Sequence, residues 1–114
     1  MLFACICWDK PHMGEIRERT HHRHLAYLKS KAEIVHIGGP FENADGGIVG
    51  TMIIVDVEGE AAARSFIDHE PFHEAGVFET VRLRRWRQMQ PDVEPGADAA
   101  VDRAAEVRAE QEHL

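Results

Sequence analysis

The sequence predicts an α+β domain built on one four-stranded antiparallel sheet with its helices on a single face. Three observations lead there. Apolar strand-like runs and helix-like stretches alternate in the order βαββαβ. A chain of 114 residues holds one core and has no room for a second domain of ordinary size. Two helical stretches can cover only one side of a four-stranded sheet.

The elements follow in order. Residues 2–8, Leu-Phe-Ala-Cys-Ile-Cys-Trp, are apolar throughout and read as a strand ended by Asp9-Lys10-Pro11. Residues 15–30 contain neither Pro nor Gly and read as a helix. Residues 34–37 form a second strand that Gly38-Gly39-Pro40 is expected to stop, and 41–47, with Asn, Asp and two Gly, form a loop. The third strand covers 48–57. Residues 60–68 form a short Ala-rich helix whose bulky apolar residues are Phe66 and Ile67. Pro71 suits the first position of a further helical turn, which runs to Ala75 and ends at Gly76. The fourth strand covers 77–86. This order is that of ferredoxin-like folds. Beyond it, 91–96 reads as a linker and 97–112 as a helical tail, giving a domain over 1–90 and an acidic linker and tail over 91–114.

Charge narrows the partners. The chain carries 13 Lys+Arg against 20 Asp+Glu, and residues 91–114 hold two of the bases and seven of the acids. An acidic surface argues against a nucleic-acid partner, because phosphate neutralisation needs a basic one. Arg82, Arg84, Arg85 and Arg87 around Trp86 are expected to pair with the acidic tail of a partner subunit instead. The run at 2–8 has no basic leader, and nothing approaches the ~18 apolar residues of a spanning helix, so no membrane partner is expected. Cys5 and Cys7 fall on one face of a strand, which suits a local disulfide poorly and fits a cytoplasmic protein. No glycine-rich nucleotide fingerprint or redox-cofactor motif is present, so the expected chemistry is cofactor-free.

The strands also imply a partner. A sheet covered on one face and wet on the other should alternate apolar and polar residues. The first strand does not alternate, and Met52-Ile53-Ile54-Val55 with Val57 is broken only by Asp56. The uncovered apolar face calls for a second copy packed sheet to sheet, a homodimer. The alternative cover is the tail of the same chain.

One histidine is out of place on the first helix. At ~100° per residue from Ile16, His24 falls near ~80°, inside an apolar arc marked by Tyr27 (~20°), Leu28 (~120°) and Leu25 (~180°). His22 points to the opposite side, and His21 lies on the inner flank. His24 therefore projects towards the sheet, where an imidazole needs a partner. It could be a core histidine bonded to a backbone carbonyl. It could also meet a carboxylate, since Asp68-His69-Glu70-Pro71 closes the second helix, and Pro71 pushes Glu70 out of helical geometry. A carboxylate on one ring nitrogen fixes the tautomer and raises basicity at the other, which makes an acid/base pair. His69-Glu70-Pro71-Phe72-His73 fits H-E-x-x-H in letters, but Pro71 denies it the continuous helix of a zinc protease. His21 and His24 could supply two metal ligands, with His36 or Glu70 needed to complete a site, and no working metal is expected there.

The ordered set of Met1-Leu2-Phe3, Asp9-Lys10, His24-Leu25-Ala26-Tyr27-Leu28, Gly39-Pro40, Gly50-Thr51, Ala61-Ala62-Ala63 with Phe66, Glu70-Pro71 and Ala75-Gly76-Val77 resembles the YciI-like (YCII-related) family over residues 1 to about 88. The resemblance implies a ferredoxin-like dimeric α+β barrel, related to muconolactone isomerases and antibiotic-biosynthesis monooxygenases. It also implies a His–Asp dyad in a cavity between helices and sheet. The family histidine falls on His24. The family aspartate falls on Glu70, which is one methylene longer, and Asp68 is the other candidate carboxylate. The family Gly-Pro falls on Gly39-Pro40 at the cavity mouth, and with Tyr27 these are the expected substrate contacts. The function implied is acid/base chemistry on a small, enolisable or aromatic molecule, by elimination, isomerisation or hydrolysis. The alternative is a non-catalytic ligand-binding or regulatory dimer using the same pocket.

Overall fold

The computed structural model describes residues 1–92. The elements are β1 (Leu2–Asp9), α1 (Gly14–Ser30), β2 (Val35–Glu42), β3 (Ile48–Asp56), α2 (Glu60–Asp68), α3 (Pro71–Glu74) and β4 (Phe78–Trp86). The strands form one sheet in the order β2-β3-β1-β4, with every neighbouring pair antiparallel. This is the ferredoxin-like α+β arrangement, with α3 as a one-turn addition before the last strand. The predicted linker and helical tail lie outside the described residues, apart from Pro91 and Asp92.

Strand β2 departs from the expectation. It does not stop at Gly38 but continues through Gly38-Gly39-Pro40 to Glu42. Two features permit this. β2 is an edge strand, where a residue without an N–H breaks no ladder on the open side. The glycines lie flat against β3, Gly38 opposite Ile53 and Gly39 opposite Met52, with Pro40 opposite Thr51.

Alternation along β1 sorts the core into two layers. Phe3, Cys5 and Cys7 face the helices and pack with Ile53, Val55, Ala63, Phe66, Ile67, Phe72 and Leu83. Leu2 and Ala4 face the other way and form a smaller cluster with Ile54, against which Ile6, Met52 and Trp86 pack. The chain after β4 returns to the far edge of the sheet, where His36 Nε2 donates to Gln88 Oε1 at 2.8 Å. Trp8 and Ile37 are left 43% and 52% exposed. Trp8 stacks on Phe41 with centroids 4.6 Å apart, across Gly50, where a Cβ would overlap the Cys7 carbonyl oxygen.

Both cysteines are free and buried. Burial pushes the Cys5 thiol up to about 11, with Arg64 working against it. Burial pushes Cys7 up to about 12, helped by Cys5, Glu70 and Asp9 and opposed by Arg17. An unfolded thiol ionises near its ordinary value of 9.0, so the folded chain binds more protons above that pH. Stability should therefore be unaffected by these groups below pH ~9 and fall as pH rises from there towards their folded values. Urea titrations across that range check the slope. In the native protein at pH 8 a thiol reagent should label neither cysteine until denaturant is added, and rapid native labelling would contradict this burial.

Candidate active site

Three residues on one stripe of α1 are buried, and all three are polar: Arg17, Thr20 and His24. Arg17 and His24 each meet a fixed partner and line a cavity. His24 is 8% exposed and Glu70 is 0% exposed. The Nδ1–H of His24 donates to Glu70 Oε1 at 2.5 Å, and the backbone N–H of Phe72 donates to Glu70 Oε2 at 3.0 Å. Both carboxylate oxygens of a fully buried side chain are thus satisfied, as a buried anion requires.

Local sequence explains how Glu70 gets there. Its backbone is extended (φ −69°, ψ 130°), the conformation that Pro71 imposes on its predecessor, and it caps the N-terminus of α3 with Pro71 at the first helical position. Residues 69–73 are therefore not one helix. His69 stays behind on Ser65, its Nδ1–H donating to that carbonyl at 2.8 Å. His73 sits on α3 with Nε2 3.8 Å from Asp68 Oδ1.

The second imidazole nitrogen, Nε2, has no hydrogen-bond partner among the described residues. With the Nδ1 proton committed to Glu70, Nε2 of the neutral ring is the acceptor. The His24 ring stacks on Phe72 with centroids 4.2 Å apart. Both rings line a cavity of about 250 Å³ between α1, α3 and the helix face of β2 and β3.

Arg17, nearly two turns before His24, lines the same cavity. Its Nε and Nη2 donate to Asp9 at 2.6 and 3.0 Å, and Nη2 also donates to Thr51 Oγ1 at 2.7 Å. Its guanidinium lies 4.5 Å from the Phe72 ring centroid. Asp9 is the last residue of β1, where the pairing with β4 slips between Trp8 and Asp9, a bulge of the kind that re-aims side chains beside sites. Because Thr51 accepts from Arg17, its own hydroxyl proton is free to donate elsewhere. The cavity thus offers one acceptor, His24 Nε2, and donors on Arg17 and Thr51. Among apolar walls these can take a proton and hold the oxyanion that its removal creates.

The expected residues divide. His24 and Glu70 meet, and Gly39 and Pro40 line the cavity with Gly38. Asp68 does not reach His24; it ends α2 half-exposed beside His73. Tyr27 is turned to a separate groove with Lys31 and His69, and its hydroxyl donates to the Phe66 carbonyl at 2.7 Å. Burial, with Glu70 and Glu74 adding, raises the Tyr27 pKa and keeps that donor protonated. Leu25, placed on the inner arc by the helical wheel, is 51% exposed at the cavity edge. Arg17, Asp9, Thr51 and Phe72 have no counterpart among the expected site residues. The wheel that exposes His24 does put Arg17 near ~100° on the same side, which is the signal that finds it. Among the described residues no group of three or more His, Cys, Asp or Glu side chains is arranged to hold a metal, and His36 is engaged with Gln88.

Fold and site together define an α+β domain of ferredoxin-like topology whose helix-side cavity is lined by a histidine bonded to a buried carboxylate. The chain belongs to the YCII-related family, whose domain matches residues 1–87. No curated protein matches it. Among solved structures it is similar to the 5-chloro-2-hydroxyhydroquinone dehydrochlorinase of Burkholderia phenoliruptrix AC1100, in complex with 2,5-dihydroxybenzoquinone. That match has 30% sequence identity and a TM-score of 0.72, and covers 77% of this chain and 95% of that one.

Proposed function

We propose that this protein is a cofactor-free enzyme that removes a proton from a small enolisable molecule, with elimination as the outcome. The observation that carries the reading is the pairing of His24 Nδ1 with the buried Glu70 carboxylate, which leaves Nε2 as a base on the cavity wall. Neutral His24 takes the proton at Nε2, and Glu70 stabilises the imidazolium. Arg17 and Thr51 donate to the substrate oxygen that becomes negative as the carbanion delocalises, and Asp9 fixes Arg17 in place. The leaving group then departs with its bonding electrons. The similar dehydrochlorinase carries out a reaction of this class, and this supports elimination over isomerisation or hydrolysis. A cavity of about 250 Å³ with Phe72 and Ile53 in its walls suits a substrate of one ring. No described helix is long and apolar enough to cross a membrane.

The assay is chloride release from 5-chloro-2-hydroxyhydroquinone. His24→Asn should lower kcat by about 10²–10⁴, the usual worth of a general base. Thr51→Val should lower it by about 10² if the hydroxyl is an oxyanion donor. A His24→Asn variant as active as wild type would overturn the reading, and ligand binding without turnover in wild type would favour the regulatory alternative.

We also propose that two copies pair through the open sheet face, as the uninterrupted apolar strands require. The exposed Trp8 and Ile37 beside Ile6 and Met52 support this. Light scattering should give the mass of a dimer for wild type and of a monomer for Trp8→Glu/Ile37→Glu. A monomeric wild type would refute it.

A further inference from the structure

The cavity that holds His24 opens beside a wider recess of about 490 Å³, and four residues line both: Arg17, His21, Ile48 and Phe72. Only one of the four, His21, carries an imidazole, a side chain that can both accept and donate a hydrogen-bonded proton. Arg17 is a donor only and is bound to Asp9 and Thr51. Ile48 and Phe72 have no ionisable group. His21 is exposed, has no hydrogen-bond partner among the described residues, and precedes His24 by one helical turn. Its ring centroid lies 6.2 Å from that of His24, tilted by 35°.

Elimination makes a demand that this placement meets. The C–H electron pair becomes the new double bond, the halide leaves with the C–X pair, and the proton remains on His24. Before the next turnover that proton must reach solvent. It cannot leave on the deep side, where Glu70 is 0% exposed and holds Nδ1–H. On the opposite side, the wall that the inner cavity shares with the outer recess carries His21 and gives one way out to solvent.

We propose that His21 relays this proton: it accepts it from His24 Nε2 through one bridging water and gives it up to buffer in the outer recess. The other charged side chains on that recess are Arg17, already ion-paired, and Glu18 on the same helix. The proposal rests on the acid/base reading of His24, while the arrangement of His21 between the two spaces stands apart from it.

His21→Gln keeps a helix-compatible side chain and removes the relay. With 5-chloro-2-hydroxyhydroquinone in dilute, non-imidazole buffer, kcat should fall roughly tenfold while kcat/KM stays within about twofold, because the relay acts after proton abstraction. Millimolar imidazole should restore kcat. An unchanged kcat, an equal loss in kcat/KM, or no rescue would overturn the proposal. A second measurement needs no turnover. Proton exchange at His24, read from broadening of its Hε1 resonance with 2,5-dihydroxybenzoquinone added, should slow in His21→Gln and recover with imidazole. Equal exchange rates in the two proteins would also overturn it. Absence of chloride release from wild type would count against the assigned reaction alone, and the exchange rates would then decide the relay.

Discussion

A carboxylate with no exposure to water organises this molecule. Glu70 ends one helical segment, begins the next, and receives hydrogen bonds from α1 through His24 and from α3 through its own cap. Removing one member of a buried pair of this kind costs on the order of 3–5 kcal/mol in general, because the other is left without a partner. That cost ties α1 and α3 together more specifically than apolar packing could. It also explains why the inner stripe of α1 is polar: Arg17 and His24 on it each answer a fixed partner, and the two apolar positions nearest them, Tyr27 and Leu28, sit at the flank.

The second polar unit, Arg17 with Asp9 and Thr51, is built from different parts of the chain, the end of β1 and the start of the buried half of β3. Phe72 touches both units, stacking on His24 and lying under the Arg17 guanidinium. One aromatic ring thus touches both the His24 imidazole and the Arg17 guanidinium on the cavity wall. Catalysis by preorganised charge depends on this kind of rigidity, since donors that are already oriented need no reorganisation as charge develops. Gly38 and Gly39 opposite leave the space unfilled, and edge-strand position is what lets a Gly-Gly-Pro segment hold a strand at all.

Much of this is legible in the sequence, and the misses have physical causes. Strand and helix order follows from apolar runs and from the placement of Pro and Gly. His24 is visible because an imidazole inside an apolar arc is anomalous, and Pro71 points to Glu70 over Asp68 because it forces its predecessor to turn inward. Arg17 is not visible in the same way. An arginine on a helix ordinarily lies on a solvated face, and only the Asp9 carboxylate, which reads in sequence as a strand terminator, makes its burial possible. Strand β2 reads short because Gly38-Gly39-Pro40 stops a central strand but not an edge one. Tyr27 faces the arc on the wheel, yet lies nearly one turn past His24, where the Phe66 carbonyl claims its hydroxyl.

The proposed chemistry depends on Glu70 holding the Nδ1 proton of His24 and leaving Nε2 as the base. Long-range ¹H–¹⁵N correlation of the imidazoles at a pH where His24 is neutral tests it directly. His24 alone among the histidines on α1 should show an Nδ1–H tautomer, with a strongly downfield proton that moves upfield in Glu70→Gln. An Nε2–H tautomer, or a His24 spectrum indifferent to that substitution, would contradict it.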